Sequence, residues 1–421
     1  MFINKIILLL SLFFSLITNV NAQKFTIRQG NYIPIDFNTY QRKNFKFLDS
    51  LLLNNETILL GEGLHRYSYD TKTKLQIIKY LHEELGYNLI LLEYSFYDFW
   101  DLNKSLGVQS GFDDTLDKYC NFRFSKGIYD IIKYVNDCKL KGDTFNIGGI
   151  DIWTTYNNEF RHFLWFITEN EKQINPNYAD LFTINGGKRL ELETITSLQD
   201  SVVYNLFDSV DLNKLWTEIY NNFKIAYKYN EEINIYYKNH PNVTVMDSNI
   251  VSDNFKRRDS MMFANYLFLS EKFNTKSIIL ASNFHVRKEV KPFLSNPGVG
   301  NNTIPFGGYF SKYHINSFHI ASISYKVEEF TKQNIYRKYF HRDKKSLEKF
   351  LYKKYQQNGF IELKNIELNG DSTFIMYPIW RFETKGNWQK AFDAVIYLNE
   401  INLPKNIKAC PPVLVYPESY K

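Results

Sequence analysis

Three short apolar runs constrain this chain most, because each runs into an acidic residue and amphipathic helices separate them. Thr57-Ile58-Leu59-Leu60 leads to Gly61 and Glu62, Asn88 to Leu92 leads to Glu93, and Phe145 to Ile150 leads to Asp151. Continuous apolar runs of this length, bounded by turn residues, read as strands buried on both faces. Between the first two, Leu75, Ile78, Leu81 and Leu85 recur at three- and four-residue spacing. That spacing predicts a one-faced helix, capped by Asp70 and stopped by Gly86. Between the second and third, Ile128, Ile131, Ile132 and Val135 mark a helix from about Lys126 to Leu140. Strand, helix, strand, helix, strand is the pattern of right-handed crossovers in a parallel sheet. The expected class is α/β, with a mostly parallel central sheet flanked by helices.

The rhythm breaks over residues 155–250, which are helical in period and rich in Tyr, Asn and Phe, most clearly from Asp208 to Tyr237. This stretch reads as a helical insertion or cap. Alternation resumes with a helix from Asn254 to Phe273 and strands at Ser277 to Ala281 and Phe318 to Tyr325. A helix from Asp343 to Gln357 and a strand from Phe392 to Leu398 complete it. No repeat or Pro/Gly-rich linker interrupts the chain, so residues 23–421 are expected to form one domain carrying the insertion.

Residues 1–22 have a short basic start at Lys5, an apolar run from Ile6 to Ile17 and a small residue at Ala22. These are the parts of a secretory signal peptide, cut after Ala22. The run is too short to span a bilayer comfortably, so no stable membrane insertion is expected. The protein is expected to be exported, to a periplasm or the medium.

Composition removes several classes of function. Of 421 residues only three are Cys and eight are His, so neither a Cys-rich zinc module nor a disulfide-dense scaffold is available. Cys120 and Cys138 flank one predicted helix, where a disulfide and two buried thiols are both open readings. The net charge of +6, without a long Lys/Arg run, does not imply nucleic acid. There is no G-x-S-x-G elbow. Gly186-Gly187-Lys188 is followed by Arg189 and is not a P-loop, and His82-Glu83 lacks the second His of a zincin helix.

What remains is a set of strand ends. Glu62 and His65 follow Gly61, Glu93 follows Leu92, Asp151 follows Ile150, and His285 follows the strand ending at Ala281. In an open α/β sheet the carboxyl ends of the strands form the ligand crevice. A neutral imidazole there can take a proton from water while a carboxylate fixes its tautomer. Arg257, Arg258 and Lys74 are the cations on adjoining helices that can stabilise an oxyanion. A metal site from His65, His285, Glu62 and Asp151 is the competing reading, because such N/O ligands suit Zn, Mn or Co. The other six histidines, His82 among them, carry no motif and read as structural or surface residues.

The same residues resemble the erythromycin esterase family. Ile58-Leu59-Leu60-Gly61-Glu62-Gly63-Leu64-His65 is similar to its strand–Gly-Glu-x-x-His signature. Glu83 to Tyr87 followed by Ile90 to Glu93 is similar to its "EELGF…ALE" stretch, and Asn146 to Ile152 to its "xYGxDM" strand. Arg258 to Asn265 resembles "RDxxMAxN", Ile279 to Val286 resembles "VVWAHNAHV", and Phe392 to Glu400 resembles "FDAVIFxDE". The matches occur in family order over nearly the whole chain after residue 40. The resemblance implies a hydrolase of a macrolide lactone or another ester, with no metal or cofactor. His65 would be the general base for water, Glu62 its helper, and Glu93 and His285 further members of the catalytic set. Lys74, Asp151, Arg258 and Asn283 would contact substrate. Three departures lie on that substrate side: Lys74 stands for an Arg, Tyr69 for a Glu and Ser282 for a His. The competing functions are a metal-dependent hydrolase or peptidase on a related scaffold and an exported binding protein without turnover.

Overall fold

The computed structural model describes residues 25–63, 68–108, 126–152, 210–239, 248–289, 304–330, 336–340, 345–368, 372–379 and 382–401, with Phe166, Asn170, Gln173, Phe207 and Ser209. The predicted leader at 1–22, His65, Tyr69's side chain and Cys120 lie outside the described residues, as does most of the stretch from 155 to 209.

Among the described residues nine strands make one sheet: β1 Ile33–Pro34, β2 Thr57–Glu62, β3 Tyr87–Ser95, β4 Asn146–Asp151, β5 Lys276–Ser282, β6 Ser317–Phe330, β7 Tyr336–Phe340, β8 Gly359–Glu362 and β9 Ala394–Ile401. Their spatial order is β1-β8-β9-β6-β2-β5-β3-β4, with β7 paired to β6 off that path. The six strands from β9 to β4 run parallel. Strands β8 and β7 join antiparallel to β9 and β6, and β1 pairs antiparallel with β8. The sheet is thus mostly parallel, as expected.

The principal helices are α1 Ser68–Leu85, α2 Phe96–Ser105, α3 Lys126–Leu140, α4 Val210–Asn239, α5 Ser248–Phe273, α6 Phe306–Lys312 and α7 Leu347–Tyr355. Ile58, Leu60, Ile90, Leu92, Ile278 and Leu280 face Ile78 and Leu81 of α1 and Ile131, Ile132 and Val135 of α3. Their alternates Leu59, Leu89, Leu91 and Ile279 cluster with Trp216 and Ile219 of α4 and Met262, Tyr266 and Leu269 of α5. Both faces are covered, which is why these strands are apolar throughout rather than alternating. No helix among the described residues is long and apolar enough to cross a membrane.

The chain path creates the crevice. From β2 it skips one place to β3 and continues outward to β4; β5 then returns to the vacant place, and β6 and β9 build the other side. Ligand crevices form at the strand carboxyl ends where such a winding reverses.

The structure departs from the sequence reading in two ways. The short pairings were not legible: β1, β7, β8 and two small sheets, Phe25–Ile27 with Ile366–Leu368 and Phe374–Ile379 with Phe382–Gly386. Strands of two to six residues carry too little period to stand out. Asp70 is also not a cap. Helix α1 begins at Ser68, and Asp70 sits buried in its first turn.

Candidate active site

Four adjacent parallel strands end side by side, and the predicted residues stand on those ends. Glu62 closes β2, Asp151 closes β4, and Asn283 and His285 occupy a single helical turn, Asn283–Val286, directly after β5. Glu93 lies within β3 rather than after it, because β3 runs on to Ser95 through a register shift against β4 between Leu92 and Ser95. Irregularities of this kind re-aim side chains beside functional sites. Gly149 on β4 permits it: a Cβ there would lie 2.1 Å from the Ser95 carbonyl oxygen.

Arg258 of α5 gathers the cluster. Its Nε donates to Asp151 Oδ1 at 2.9 Å and its Nη2 to Asp151 Oδ2 at 2.6 Å, a two-pronged grip. Nη2 also donates to Glu93 Oε1 at 2.7 Å. The other Glu93 oxygen accepts the Ser282 backbone N–H at 2.7 Å, which ties β3 to the end of β5. Burial lowers the pKa of Arg258, but Asp151, Glu93 and Asp259 outweigh it and hold the guanidinium firmly charged.

His285 is fully enclosed. Its Nδ1 lies 2.5 Å from Asp259 Oδ1, and its Nε2 lies 3.0 Å from Arg258 Nη1 and 3.3 Å from Glu93 Oε1. Charged, the ring donates to Asp259 and Glu93; neutral at Nε2, it accepts from Arg258 instead. Loss of the proton re-pairs the same atoms. Burial opposes the charged ring, yet Asp259 and Glu93 prevail over burial and Arg258 and push His285 up to about 9. Arg287, stacked 4.1 Å over the Phe284 ring, is drawn down to about 10 by burial, against the pull of Asp259. Three carboxylates thus meet two guanidinium groups and one imidazole.

The folded value of His285 exceeds the ordinary value of ~6.5, so its stabilisation is complete below that pH and is lost as pH rises through about 9. Urea midpoints are expected to fall across that window in the wild type and to fall less in His285→Gln. Parallel curves would remove the imidazolium from the account.

A second cluster flanks Glu62. Lys74 Nζ lies 3.2 Å from Asp70 Oδ2 and 3.4 Å from Glu62 Oε2. Asp70 Oδ1 accepts the Ser322 hydroxyl of β6 at 2.7 Å. Burial raises the Asp70 carboxyl above the usual carboxylate range, although Lys74 pulls the other way.

Exposure separates the predicted residues. The Lys74 side chain has no exposed surface and that of Asp151 keeps 2%, whereas Glu62 retains 15% and Arg258 14%. Glu62 and Arg258 therefore keep part of their side chains exposed, while Lys74, Asp151, His285 and Glu93 are enclosed. Asn283 is also buried; it exchanges hydrogen bonds with the Ser322 backbone, donating to its carbonyl at 2.7 Å and accepting from its N–H at 3.1 Å. The resemblance put Lys74, Asp151 and Asn283 on the substrate side; the structure encloses all three, because Lys74 pairs with Glu62 and Asp70, Asp151 grips Arg258, and Asn283 laces β5 to β6. Arg257 turns away to Glu232 of α4 at 2.7 Å.

Gly61 is needed at the base of this arrangement. A Cβ there would fall 2.1 Å from Asn283 Oδ1 and 2.8 Å from Val286 Cγ2. Gly61→Ala is expected to cost roughly 1–3 kcal/mol by overpacking. Chemical denaturation measures it, and an unchanged midpoint would mean that the Asn283 turn yields freely.

Sequence reasoning gave Asp259 and Ser322 no site role and Asp70 only that of a helix cap. A signal existed for the two acids. Asp259 is in helical register with Met262, Phe263 and Tyr266, and Asp70 with Lys74, Ile77, Ile78 and Leu81, all buried. An acid on an apolar stripe has to find a partner in the interior. Ser322 had no such mark.

No protein-family model matches the chain. The protein named "Putative hydrolase YbfO" of Bacillus subtilis (strain 168) is 24% identical over 319 residues, 64% of this chain. The match spans 66% of that relative, just under two thirds of its length. Among solved structures, a histidine-to-asparagine variant of the erythromycin esterase EreC in its open conformation superposes with a TM-score of 0.65 at 15% identity. That match covers 90% of this chain and 98% of the esterase. A Bacillus cereus protein gives 0.63 at 14% identity, covering 88% and 95%. A succinoglycan biosynthesis protein gives 0.60 at 14%, also covering 88% and 95%. The chain has the erythromycin esterase fold.

Proposed function

We propose that this protein is a hydrolase that adds water to an ester or lactone in the crevice above β2, β5, β3 and β4. The observation that carries this reading is Arg258, a partly buried fork clamped by Asp151 and Glu93 at the carboxyl ends of these strands, with 14% of its side chain exposed. A fixed cation of this kind suits the oxyanion that forms when water attacks an ester carbonyl. It needs no reorganisation, because the carboxylates behind it already hold it in place.

In this reading His65, in the link between β2 and α1, takes the proton from water. Glu62 supports the imidazolium that forms, and Lys74 behind it favours the ionised carboxylate. Glu93, Asp151, His285 and Asp259 act as positioning residues for Arg258. The resemblance to erythromycin esterases supports an ester or lactone as the bond, and the relative named as a hydrolase supports the reaction class. The leader-like residues 1–22 support export. The test is incubation of the protein with macrolactones and simple esters, read by mass spectrometry. At least one substrate is expected to react, a lactone to a ring-opened acid heavier by one water or a simple ester to an acid and an alcohol whose masses sum to the ester plus one water; no such product across the panel would overturn the reading.

A further inference from the structure

At the opposite, amino-terminal edge of the sheet, three side chains of different chemistry converge. His82 near the end of α1, Cys138 near the end of α3 and Asp143 just before β4 offer ligand atoms that all lie within 4.8 Å of one another. His82 and Cys138 are buried, and Asp143 is open to solvent.

The hydrogen bonds around His82 assign its proton. The Tyr134 hydroxyl donates to Glu83 Oε1 at 3.1 Å, because a carboxylate only accepts. With that proton committed, the Tyr134 oxygen accepts from His82 Nδ1–H at 3.0 Å. The Nε2 lone pair then faces Asp143 Oδ2 at 3.3 Å. Phe145, stacked on the imidazole at 3.9 Å and 8°, fixes the ring plane. Two acceptors at this distance need a positive charge between them. A proton joins only two atoms, whereas a metal ion also takes the sulfur.

The separation of His82 and Asp143 fits the metal, and the Cys138 sulfur is within 4.8 Å of both. Tetrahedral zinc binds His nitrogen at about 2.0–2.1 Å and carboxylate oxygen at about 2.0–2.2 Å, which sets these ligand atoms about 3.3 Å apart. The donors are one imidazole, one thiol and one carboxylate, a borderline-soft set. The Glu83–Tyr134–His82 chain is the outer support that orients a ligating imidazole.

We propose that His82, Cys138 and Asp143 bind a divalent cation of the zinc type, with water in the fourth position. Asp143 gives the ion its way in, and the Cys138 thiol releases its proton to solvent on binding. The site is separate from the crevice and does not depend on the reading of it.

Cobalt titration of the chelator-treated full chain tests this. One equivalent of Co²⁺ is expected to produce a thiolate-to-cobalt charge-transfer band that Zn²⁺ abolishes. Cys138→Ser should remove the band. Tyr134→Phe should weaken binding roughly ten- to a hundredfold, and Asp143→Asn, a change at an exposed position that spares the core, at least as much. Absence of one-to-one binding would overturn the proposal. So would a band unchanged in Cys138→Ser or binding unchanged in Asp143→Asn, since the metal would then sit on another cysteine and His82 with Asp143 would be an ion pair alone.

Discussion

Arg258→Met is expected to lower stability by roughly 3–5 kcal/mol, the usual cost of removing one partner from a buried ionic cluster. The loss comes from what is left behind. Asp151 and Glu93 expose only 2% and 5% of their side chains and would be left without the fork that satisfies them. Against a total of about 5–15 kcal/mol, that is a large fraction of what holds a domain folded. Arg258→Lys should fall between, since it restores the charge but not the two-pronged grip on Asp151. Adding Asp151→Asn and Glu93→Gln to Arg258→Met should recover part of the loss by removing the stranded charges. Guanidinium unfolding of the four proteins measures the series. A single variant unfolding at the wild-type midpoint would mean that the carboxylates find other partners.

His65→Ala is expected to reduce ester or lactone hydrolysis by about 10²–10⁴-fold, the range for losing a general base. The residue follows Glu62 by three positions, after the strand end where β2 meets the crevice. Glu62→Gln should cost less, because in the proposed mechanism Glu62 only supports the charge formed on the base, and an amide keeps its hydrogen-bonding capacity while losing the charge. The two changes should not add in the double variant, since the carboxylate acts through the base. Far-ultraviolet circular dichroism should be the same in all three. Turnover unchanged in His65→Ala would take the base role from that residue, even if hydrolysis itself were established.

Much of this arrangement was written in local pattern. The runs into Glu62, Glu93 and Asp151 are strands because uninterrupted apolar sequence suits a sheet covered on both faces, and the helices between them carry one apolar stripe each. His285 was legible by the same strand-end rule and Arg258 as a cation on an adjoining helix, and both also lie in stretches that resemble a family in the right order. Asp259 and Asp70 were visible as misplaced charges on apolar stripes, but nothing near them in sequence names His285 or Ser322 as their partners. Those contacts span 26 and 252 residues. The grouping of His82, Cys138 and Asp143 was equally hidden, because it joins the ends of two helices to a turn.

Sequence by itself determined the element types, the parallel sense of the main sheet and the acidic character of its carboxyl edge. Each of these follows from side-chain period and from what a strand end can carry. Tertiary structure alone decided the strand order. With β5 set between β2 and β3, Ser282 meets Glu93, and His285 meets Arg258 and Glu93. It also decided which polar side chains keep exposed surface and which are enclosed, so that Lys74, Asp151 and Asn283 are buried against their partners. The physical reason is that period reports how a segment folds against any apolar surface, whereas pairing and burial depend on which surface arrives.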